Sequence, residues 1–379
     1  MSLALSEEQE LLRNTAREFV AEHSPVKALR RLRDEKDPVG FDRALWTEMA
    51  ELGWAGILLP EEYGGSGLGY AELGIVLEEC GRTLTATPLV STSLLGGNAV
   101  LLDGNETLKK EILPAVAKGE RILALALEET SHHAPYAIAT RAEATANGYR
   151  VTGKKTFVLD GHVADHLVVV ARTAGKSGDR DGLTLLLVPK GARGLSVTRT
   201  IMVDGRNAAN VTLDGVDVDK SAVLGGAGRG ADLLDKVLDR ATIGLAAEML
   251  GTLAEAFERT ITYLKERKQF GVPIGSFQAL KHRAANMFVE VELARSIVLD
   301  ALRAIDENRP DVSQLASIAK ARVSDAIHLV GNEAVQMFGG IGVTDEEEIG
   351  LFLKRARVAE LTLGDAAHHR ARFARLNAF

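Results

Sequence analysis

Three sections of the chain carry different hydrophobic rhythms, and those rhythms set out its organisation. From the start to about residue 120, apolar positions recur every three or four residues, the spacing of one helical face. Leu11, Leu12, Ala16, Phe19 and Val20 make the first such face, and Ser6-Glu7-Glu8-Gln9 ahead of it has the form of a capping box. Gly53 to Tyr70 breaks the pattern with Pro60, Gly64, Gly65, Gly67 and Gly69, so a loop is expected there before helical periodicity returns at Ala71 to Leu77. From about Ile122 to Leu224 the runs become short and β-rich: Ile122 to Leu127, Tyr149 to Thr152, His166 to Ala171, Leu183 to Val188, Leu195 to Met202 and Asn210 to Leu213. Asn147-Gly148 is a hairpin signal. No helical pattern alternates with these runs, which argues for an antiparallel barrel or sandwich and against a doubly wound nucleotide fold.

The third section is helical again. Leu234, Val237, Leu238, Ala241, Leu245, Met249, Leu253, Phe257, Ile261 and Leu264 form one long stripe. A second runs from Leu280 through Met287 and Val291 to Leu302. A third runs from Leu315 through Ile318 and Ile327 to Phe338 and stops at Gly339-Gly340, as a helix end should. Thr344-Asp345-Glu346-Glu347 reads as the cap of a shorter fourth helix, with Lys354, Arg355 and Arg357 in its last turn. The expectation is an α+β multidomain protein. An amino-terminal helical domain (1–121) precedes a central antiparallel β-barrel or sandwich domain (122–225) and a carboxyl-terminal four-helix bundle (226–379).

Length supports several domains, since 379 residues exceed one simple core. A net charge of −7 without a long basic run argues against a nucleic-acid surface. The single Cys80 excludes an internal disulfide and a cysteine-based metal site, and fits a reducing compartment. No apolar run approaches the roughly 18–20 residues of a membrane span. Met1 to Ser6 lacks the basic and apolar regions of a signal peptide, so a cytoplasmic protein is expected.

The most informative chemistry lies between the first two stripes, in Glu266-Arg267-Lys268-Gln269-Phe270-Gly271-Val272-Pro273-Ile274-Gly275-Ser276-Phe277-Gln278. This polar link carries a fixed cation, amides and aromatic rings beside a helix bundle, a set suited to a flat anionic ligand such as a flavin dinucleotide. Gly225-Gly226-Ala227-Gly228-Arg229-Gly230 lacks the strand, helix and acidic residue of a dinucleotide fingerprint and reads as a flexible entry to the third section. His132-His133 and His368-His369 have no third ligand at metal-binding spacing, so packing or surface roles are expected.

With that link in place, the chain resembles the acyl-CoA dehydrogenase family over essentially its whole length. Pro60-Glu61-Glu62-Tyr63-Gly64-Gly65-Ser66-Gly67 resembles the family's amino-terminal loop, and Gly81-Arg82-Thr83-Leu84 with Pro88 fits the family's next segment. Gln336-Met337-Phe338-Gly339-Gly340-Ile341-Gly342 resembles its second flavin segment. The resemblance implies FAD as cofactor, with Arg267 on the pyrophosphate and Gln269, Phe270, Phe277 and Gln278 lining the dinucleotide. Guanidinium suits that place because its forked donors match phosphate oxygens. Gln336, Met337, Phe338, Gly339 and Gly340 would contact the FAD of a neighbouring subunit, so an oligomer is implied, commonly a dimer of dimers. Phe157, in Phe157-Val158-Leu159, takes the place of the family's tryptophan over the flavin ring. Leu159 there lacks a side-chain donor, and Leu127-Glu128-Glu129-Thr130 departs from the family's FAD-binding loop.

The implied reaction introduces an alpha–beta double bond into an acyl-CoA thioester and passes electrons to an electron-transfer flavoprotein. It needs a carboxylate base near the alpha proton. Of the family's two base positions, one matches Leu363 in Glu360-Leu361-Thr362-Leu363-Gly364-Asp365, and the other matches Ala241 in Leu238-Asp239-Arg240-Ala241-Thr242. Both are apolar. Asp365 and, behind it, Glu248 are the candidate substitutes, each with a plain structural role that ranks ahead of catalysis: a helix N-cap for Asp365 and a paired carboxylate for Glu248. The carboxyl end also resembles small subunits of heteromeric bacterial enzymes of the pimeloyl-CoA dehydrogenase type, in which a partner chain can supply the base. The expected partners are therefore acyl-CoA, an electron-transfer flavoprotein, and either further copies or a larger subunit of the same family. The alternative is a non-catalytic structural subunit that completes the FAD site of a catalytic partner.

Overall fold

The structure, a computed structural model, describes residues 4–379. Its helices are α1 (Glu7–His23), α2 (Val26–Asp34), α3 (Arg43–Glu51), α4 (Tyr70–Arg82), α5 (Gly97–Asp103), α6 (Glu106–Ala117), α7 (Gly230–Glu266), α8 (Gln278–Asp306), α9 (Val312–Phe338), α10 (Ile349–Leu361) and α11 (Ala366–Leu376). Its strands are β1 (Leu123–Ala126), β2 (Arg141–Ala144), β3 (Gly148–Lys155), β4 (His166–Arg172), β5 (Leu183–Pro189), β6 (Leu195–Ile201), β7 (Asn207–Asp219), β8 (Val223–Leu224), β9 (Lys268–Gln269) and β10 (Val272–Pro273). The chain forms two compact units. One holds the residues up to Asp34, Tyr70–Thr85 and Thr242–Phe379, and the other holds Glu35–Gly69 and Ala86–Ala241.

In the helical unit, α9 packs against α8, α10 and α11, and α4 packs against α1 and α8. Periodicity explains the burial. Leu315, Val323, Ile327, Val330, Ala334 and Phe338 of α9 are buried, and each large aliphatic side chain so placed is worth about 1.5–3 kcal/mol. At the start of the chain the capping box is present: Ser6 Oγ accepts from the Gln9 amide at 3.2 Å and Gln9 Oε1 from the Ser6 amide at 3.1 Å. Backbones come closest where α4 meets α7. A Cβ added at Gly81 would lie 2.0 Å from the Glu248 carbonyl oxygen, and one at Gly251 only 1.8 Å from that of Glu78.

Three expectations change here. Five helices, not four, follow residue 226, because the chain breaks at Leu363-Gly364 and α11 begins after it. The residues Thr344 to Glu347 do not cap α10, whose N-cap is Glu348. Thr344 Oγ1 instead donates to the Ile341 carbonyl at 2.7 Å, and the Asp345 carboxylate is drawn to Arg33 at 2.7 Å and Arg30 at 3.1 Å. Two guanidiniums outcompete a cap for one carboxylate. Leu11 and Ile318, assigned to the apolar faces of α1 and α9, are 68% and 36% exposed.

The other unit is built on a sheet with strand order β6-β7-β3-β2-β4-β5-β8 and with β1 also on β4. It is open rather than closed into a barrel, β6 and β8 being its two ends. Nor is it wholly antiparallel. β1 runs parallel to β4 from Leu123–His166 to Ala126–Val169, and β2 meets β4 in parallel at Arg141–Arg172. Parallel neighbours need long connections, and the stretch from β1 to β4, which includes β2 and β3, provides one. A hairpin joins β2 to β3 with Ala144 opposite Tyr149, but not through the expected Asn147-Gly148 turn. The Thr145 amide donates to the Gly148 carbonyl at 2.9 Å, Gly148 opens β3, and neither Asn147 nor Gly148 has positive φ.

Candidate functional site

The link after α7 folds as a small hairpin in which β9 and β10 pair and the Ile274 amide donates to the Arg267 carbonyl at 2.8 Å. Its two tip residues, Phe270 (φ 54°) and Gly271 (φ 79°), both have positive φ, as a tight two-residue turn of right-handed twist requires. Glycine takes that conformation freely, whereas a phenylalanine there is an outlier. Phe270 is also 91% exposed, and it meets Phe277 edge-on at 6.1 Å. Arg267, Gln269 and Gln278 are exposed, and their side chains make no hydrogen bond or ion pair among the described residues. A cation and two amides are thus displayed without internal side-chain partners, beside two exposed rings that meet each other, an arrangement that packing alone does not call for.

The second segment lies at the same end of α7. Phe338 stacks on Tyr263 with ring centres 4.1 Å apart, and the Tyr263 hydroxyl donates to the Phe338 carbonyl at 3.2 Å. The Tyr263 carbonyl in turn accepts from the Arg267 amide at 2.8 Å. Met337 and Phe338 are buried, while Gln336, Gly339 and Gly340 are exposed. Gly339 ends α9 at φ 69°, ψ −146°, a conformation almost confined to glycine. No atom lies within 4 Å of a Cβ built on Gly339 or Gly340, so a ligand can approach their backbone closely. A groove of about 360 Å³ beside Tyr263 and Phe338 is flanked by Glu255, Glu258, Glu266 and Glu347. Arg259, paired with Glu255 at 2.8 Å, also lines it, so four carboxylates face one guanidinium and the net charge of the groove disfavours phosphate.

Phe157 belongs to the other unit, just after β3. It is 47% exposed and has φ 50°. Val158 is tied to Ala209 by two backbone hydrogen bonds of 2.9 Å, whereas the amides of Phe157 and Leu159 donate to no described group. Upstream, the buried Lys155 donates to the Leu127 carbonyl at 3.0 Å and to Glu129 at 2.7 Å. Burial lowers the Lys155 ammonium to about 8 against the opposing pull of Glu129. Sequence pattern gave no hint that Phe157, Phe270 and Leu363 (φ 57°) share the left-handed backbone. Strain of that kind gathers at functional sites.

The candidate bases are both engaged. Asp365 caps α11, its carboxylate accepting from the His368 amide at 2.8 Å, and the residue is exposed. Glu248 is 5% exposed and pairs with Arg355 at 3.2 Å. Ala241 and Leu363, where the resemblance would put the base, are buried. Cys80 offers no thiolate, because burial, Glu248 and Glu79 all push its thiol upward. Among the described residues no group of three or more His, Cys, Asp or Glu is placed to hold a metal ion, and no helix is long and apolar enough to cross a membrane.

The sequence reading missed Lys320. It is fully buried on α9, and its Nζ donates to the carbonyls of Gly364 at 2.7 Å and Glu360 at 3.0 Å, bracketing Leu363. Burial lowers it from 10.5 to about 7, with Glu360 and Asp365 pulling the other way. Above about 7 the folded chain gives up a proton that the unfolded chain keeps until about 10.5, so stability should rise with pH across that window. Denaturation midpoints at pH 7 and pH 9.5 should therefore increase, and Lys320→Met should flatten the rise. An equal rise in the variant would assign the effect elsewhere.

Known proteins resemble this chain in sequence and fold. Residues 6–120, 124–216 and 228–376 match, in turn, the families described as Acyl-CoA dehydrogenase, N-terminal domain, middle domain and C-terminal domain. The probable acyl-CoA dehydrogenase YngJ of Bacillus subtilis (strain 168) is 31% identical over 383 residues, covering 99% of each chain. Mitochondrial isovaleryl-CoA dehydrogenase of Pongo abelii is 32% identical over 368 residues, 95% of this chain and 86% of the relative. A chain of the ChsE4-ChsE5 complex from Mycobacterium tuberculosis is similar in fold at a TM-score of 0.90, with 28% identity over 100% of this chain and 99% of that one.

Proposed function

Because the chain belongs to the acyl-CoA dehydrogenase family, we propose that it serves as an FAD-holding subunit of an oligomer in which another chain supplies the catalytic carboxylate. The family's activity is oxidation of a CH–CH bond in an acyl-CoA thioester, with FAD as cofactor. FAD, when bound, takes up the hydride that leaves the beta carbon.

The residues present fit that cofactor. Arg267 is an exposed cation without a side-chain partner, ready for a pyrophosphate oxygen pair. Gln269 and Gln278 add neutral donors and acceptors, and Phe270 and Phe277 add apolar faces. Gln336, Gly339 and Gly340 would meet the dinucleotide of a neighbouring subunit, with Met337 and Phe338 fixing them from the packed side. Phe157 would lie on the ring system, and the unpartnered amides of Phe157 and Leu159 offer donors where the Leu159 side chain has none.

The observation that carries the partner's role is the engagement of both candidate bases. Asp365 is held by the α11 amide and Glu248 by Arg355, while Leu363 and Ala241 cannot accept a proton. The ChsE4-ChsE5 relative is a complex of two named chains, which favours a heteromer over identical copies. On this reading the complex is cytoplasmic, delivers its electrons to an electron-transfer flavoprotein, and is divided into domains near residues 121 and 225. The same engagement of Asp365 and Glu248 favours a second reading, a purely structural subunit that completes the partner's FAD site.

Anaerobic addition of acyl-CoA separates the possibilities. The lone chain should keep its flavin absorption, and a mixture with a second family chain should bleach it. Asp365→Asn and Glu248→Gln should leave that bleaching in place. Bleaching by the lone chain would overturn the need for a partner. FAD bound only by the partner would favour the structural subunit.

A further inference from the structure

The turn that carries Phe157 is held from its far side by a buried polar network that the expected chemistry does not use. Asp160, three residues on, is 8% exposed and, like Phe157, has a left-handed backbone, with φ 52°. The Ser91 hydroxyl lies 2.7 Å from Asp160 Oδ2 and 3.0 Å from the Pro88 carbonyl, and its one proton goes to the nearer, charged acceptor, while the Asn207 side-chain amide reaches Oδ1 at 3.5 Å. Both partners are themselves fixed. Ser91 lies in the buried π-helical stretch Val90–Gly96, a wide turn often found at functional sites. Asn207 Oδ1 accepts from Arg199 Nη2 at 2.7 Å and Nε at 3.0 Å, and its amide donates to the Val39 carbonyl at 2.8 Å. Space around the network is closed, since a Cβ at Gly40 would fall 2.3 Å from Asn207 Oδ1.

Two non-glycine residues in the left-handed region within four positions persist only where the surroundings over-determine them. Val158 is pinned to β7 by its pair of hydrogen bonds with Ala209. The turn is therefore pinned at Val158 and again at Asp160. The Asp160 amide donates to the Asn207 carbonyl at 3.4 Å, its carbonyl accepts from the Val163 and Ala164 amides at 3.0 and 3.1 Å, and its carboxylate is anchored as well. Aspartate suits the second strained place because its short polar side chain tolerates the left-handed backbone. That conformation leaves Phe157 half exposed instead of folded into the sheet's packing.

We propose that Asp160 is a positioning residue for the cofactor: its carboxylate, anchored by Ser91 and Asn207, locks the 157–160 turn so that the Phe157 ring faces the flavin. The proposal rests on Phe157 lying on the flavin ring, as set out above. Ser91, on a different segment, is then part of cofactor positioning without touching the cofactor. Asn207 transmits the anchorage to Arg199 and to the Val39 carbonyl.

The test uses the full chain assembled with its partner and loaded with FAD, comparing wild type with Phe157→Ala, Ser91→Ala, Asp160→Asn and Asp160→Gly. The readouts are the visible band shape of bound flavin, its fluorescence quenching, the FAD dissociation constant, and melting of the FAD-free protein. Phe157→Ala should change the flavin band and reduce quenching. Ser91→Ala and Asp160→Gly should change the band in the same direction and weaken FAD binding by at most about tenfold, because the lost hydrogen bond is internal to the protein and only its effect on ring placement reaches the cofactor. Asp160→Asn keeps an acceptor for Ser91 and should restore the wild-type band. Glycine relieves the backbone strain but removes the anchor, so it separates strain from anchorage even where melting shifts. If Phe157→Ala alters the band while Ser91→Ala and Asp160→Gly leave it unchanged, the positioning role is overturned and the stacking reading stands. If Phe157→Ala itself changes nothing, both are overturned.

Discussion

Replacing Arg355 with leucine should destabilise the helical unit by roughly 3–5 kcal/mol, the cost of leaving a buried carboxylate without its guanidinium. Arg355 is 1% exposed and Glu248 5%, so water cannot take over the lost contact. The Arg355 guanidinium also reaches the Leu84 carbonyl at 3.5 Å, which adds a second group to the loss. Relaxation is restricted because α4 and α7 touch through Gly81 and Gly251, with no room for even one added methyl. The double change Glu248→Leu with Arg355→Leu should recover most of the loss, since apolar replacement of a whole buried pair is often neutral. Urea unfolding of the two variants and wild type measures this. A single variant as stable as wild type would show that the pair is not what holds Glu248. The same pair bears on chemistry, because a carboxylate held this way is poorly placed to serve as a mobile base.

Arg267→Ala should act in the opposite manner, leaving the fold intact and removing the cofactor. The Arg267 side chain has no partner among the described residues, so its loss costs little folding energy. A charge-assisted contact to phosphate contributes about 1.5–3 kcal/mol, which corresponds to an FAD dissociation constant raised roughly 10- to 100-fold. Arg267→Lys should recover part of the affinity, because an ammonium keeps the charge but loses the forked geometry. FAD titration with melting of the FAD-free protein checks both halves. Unchanged affinity in Arg267→Ala would remove this residue from the cofactor site.

Much of the architecture was legible because it rests on local periodicity. The stripes of α7, α8 and α9, the capping box at Ser6 and the stop at Gly339 all depend on spacing within a few residues. The misses have a common cause. β2 is polar, with only Ala142 buried, and exists as a strand because β3 pairs along it. β8 is two residues long. Parallel pairing of β1 and β2 with β4 leaves no trace in a β-rich run, since the alternation of side chains is the same in either direction. Thr344 to Glu347 has the letters of a capping box, yet Arg30 and Arg33, more than 300 residues earlier in the chain, claim Asp345.

The candidate site divides in the same way. Arg267, Gln269, Phe270, Gln278 and the Gly339-Gly340 pair stand out in the sequence as candidates because ligand chemistry uses those residue types, and the motif order pointed to the family. The absence of a carboxylate at Ala241 and Leu363 was likewise a matter of reading two positions. Only the folded chain decided what the remaining groups do. It joined the link after α7 to the end of α9 through Tyr263, committed Asp365 to α11 and Glu248 to Arg355, buried Lys320 beneath the Leu363 turn, and put Phe157, Phe270 and Leu363 in left-handed backbone. Sequence determines which groups are available and how each segment tends to coil. Which buried charge meets which partner depends on segments separated by tens to hundreds of residues, and desolvation makes that pairing decisive only once the core has closed.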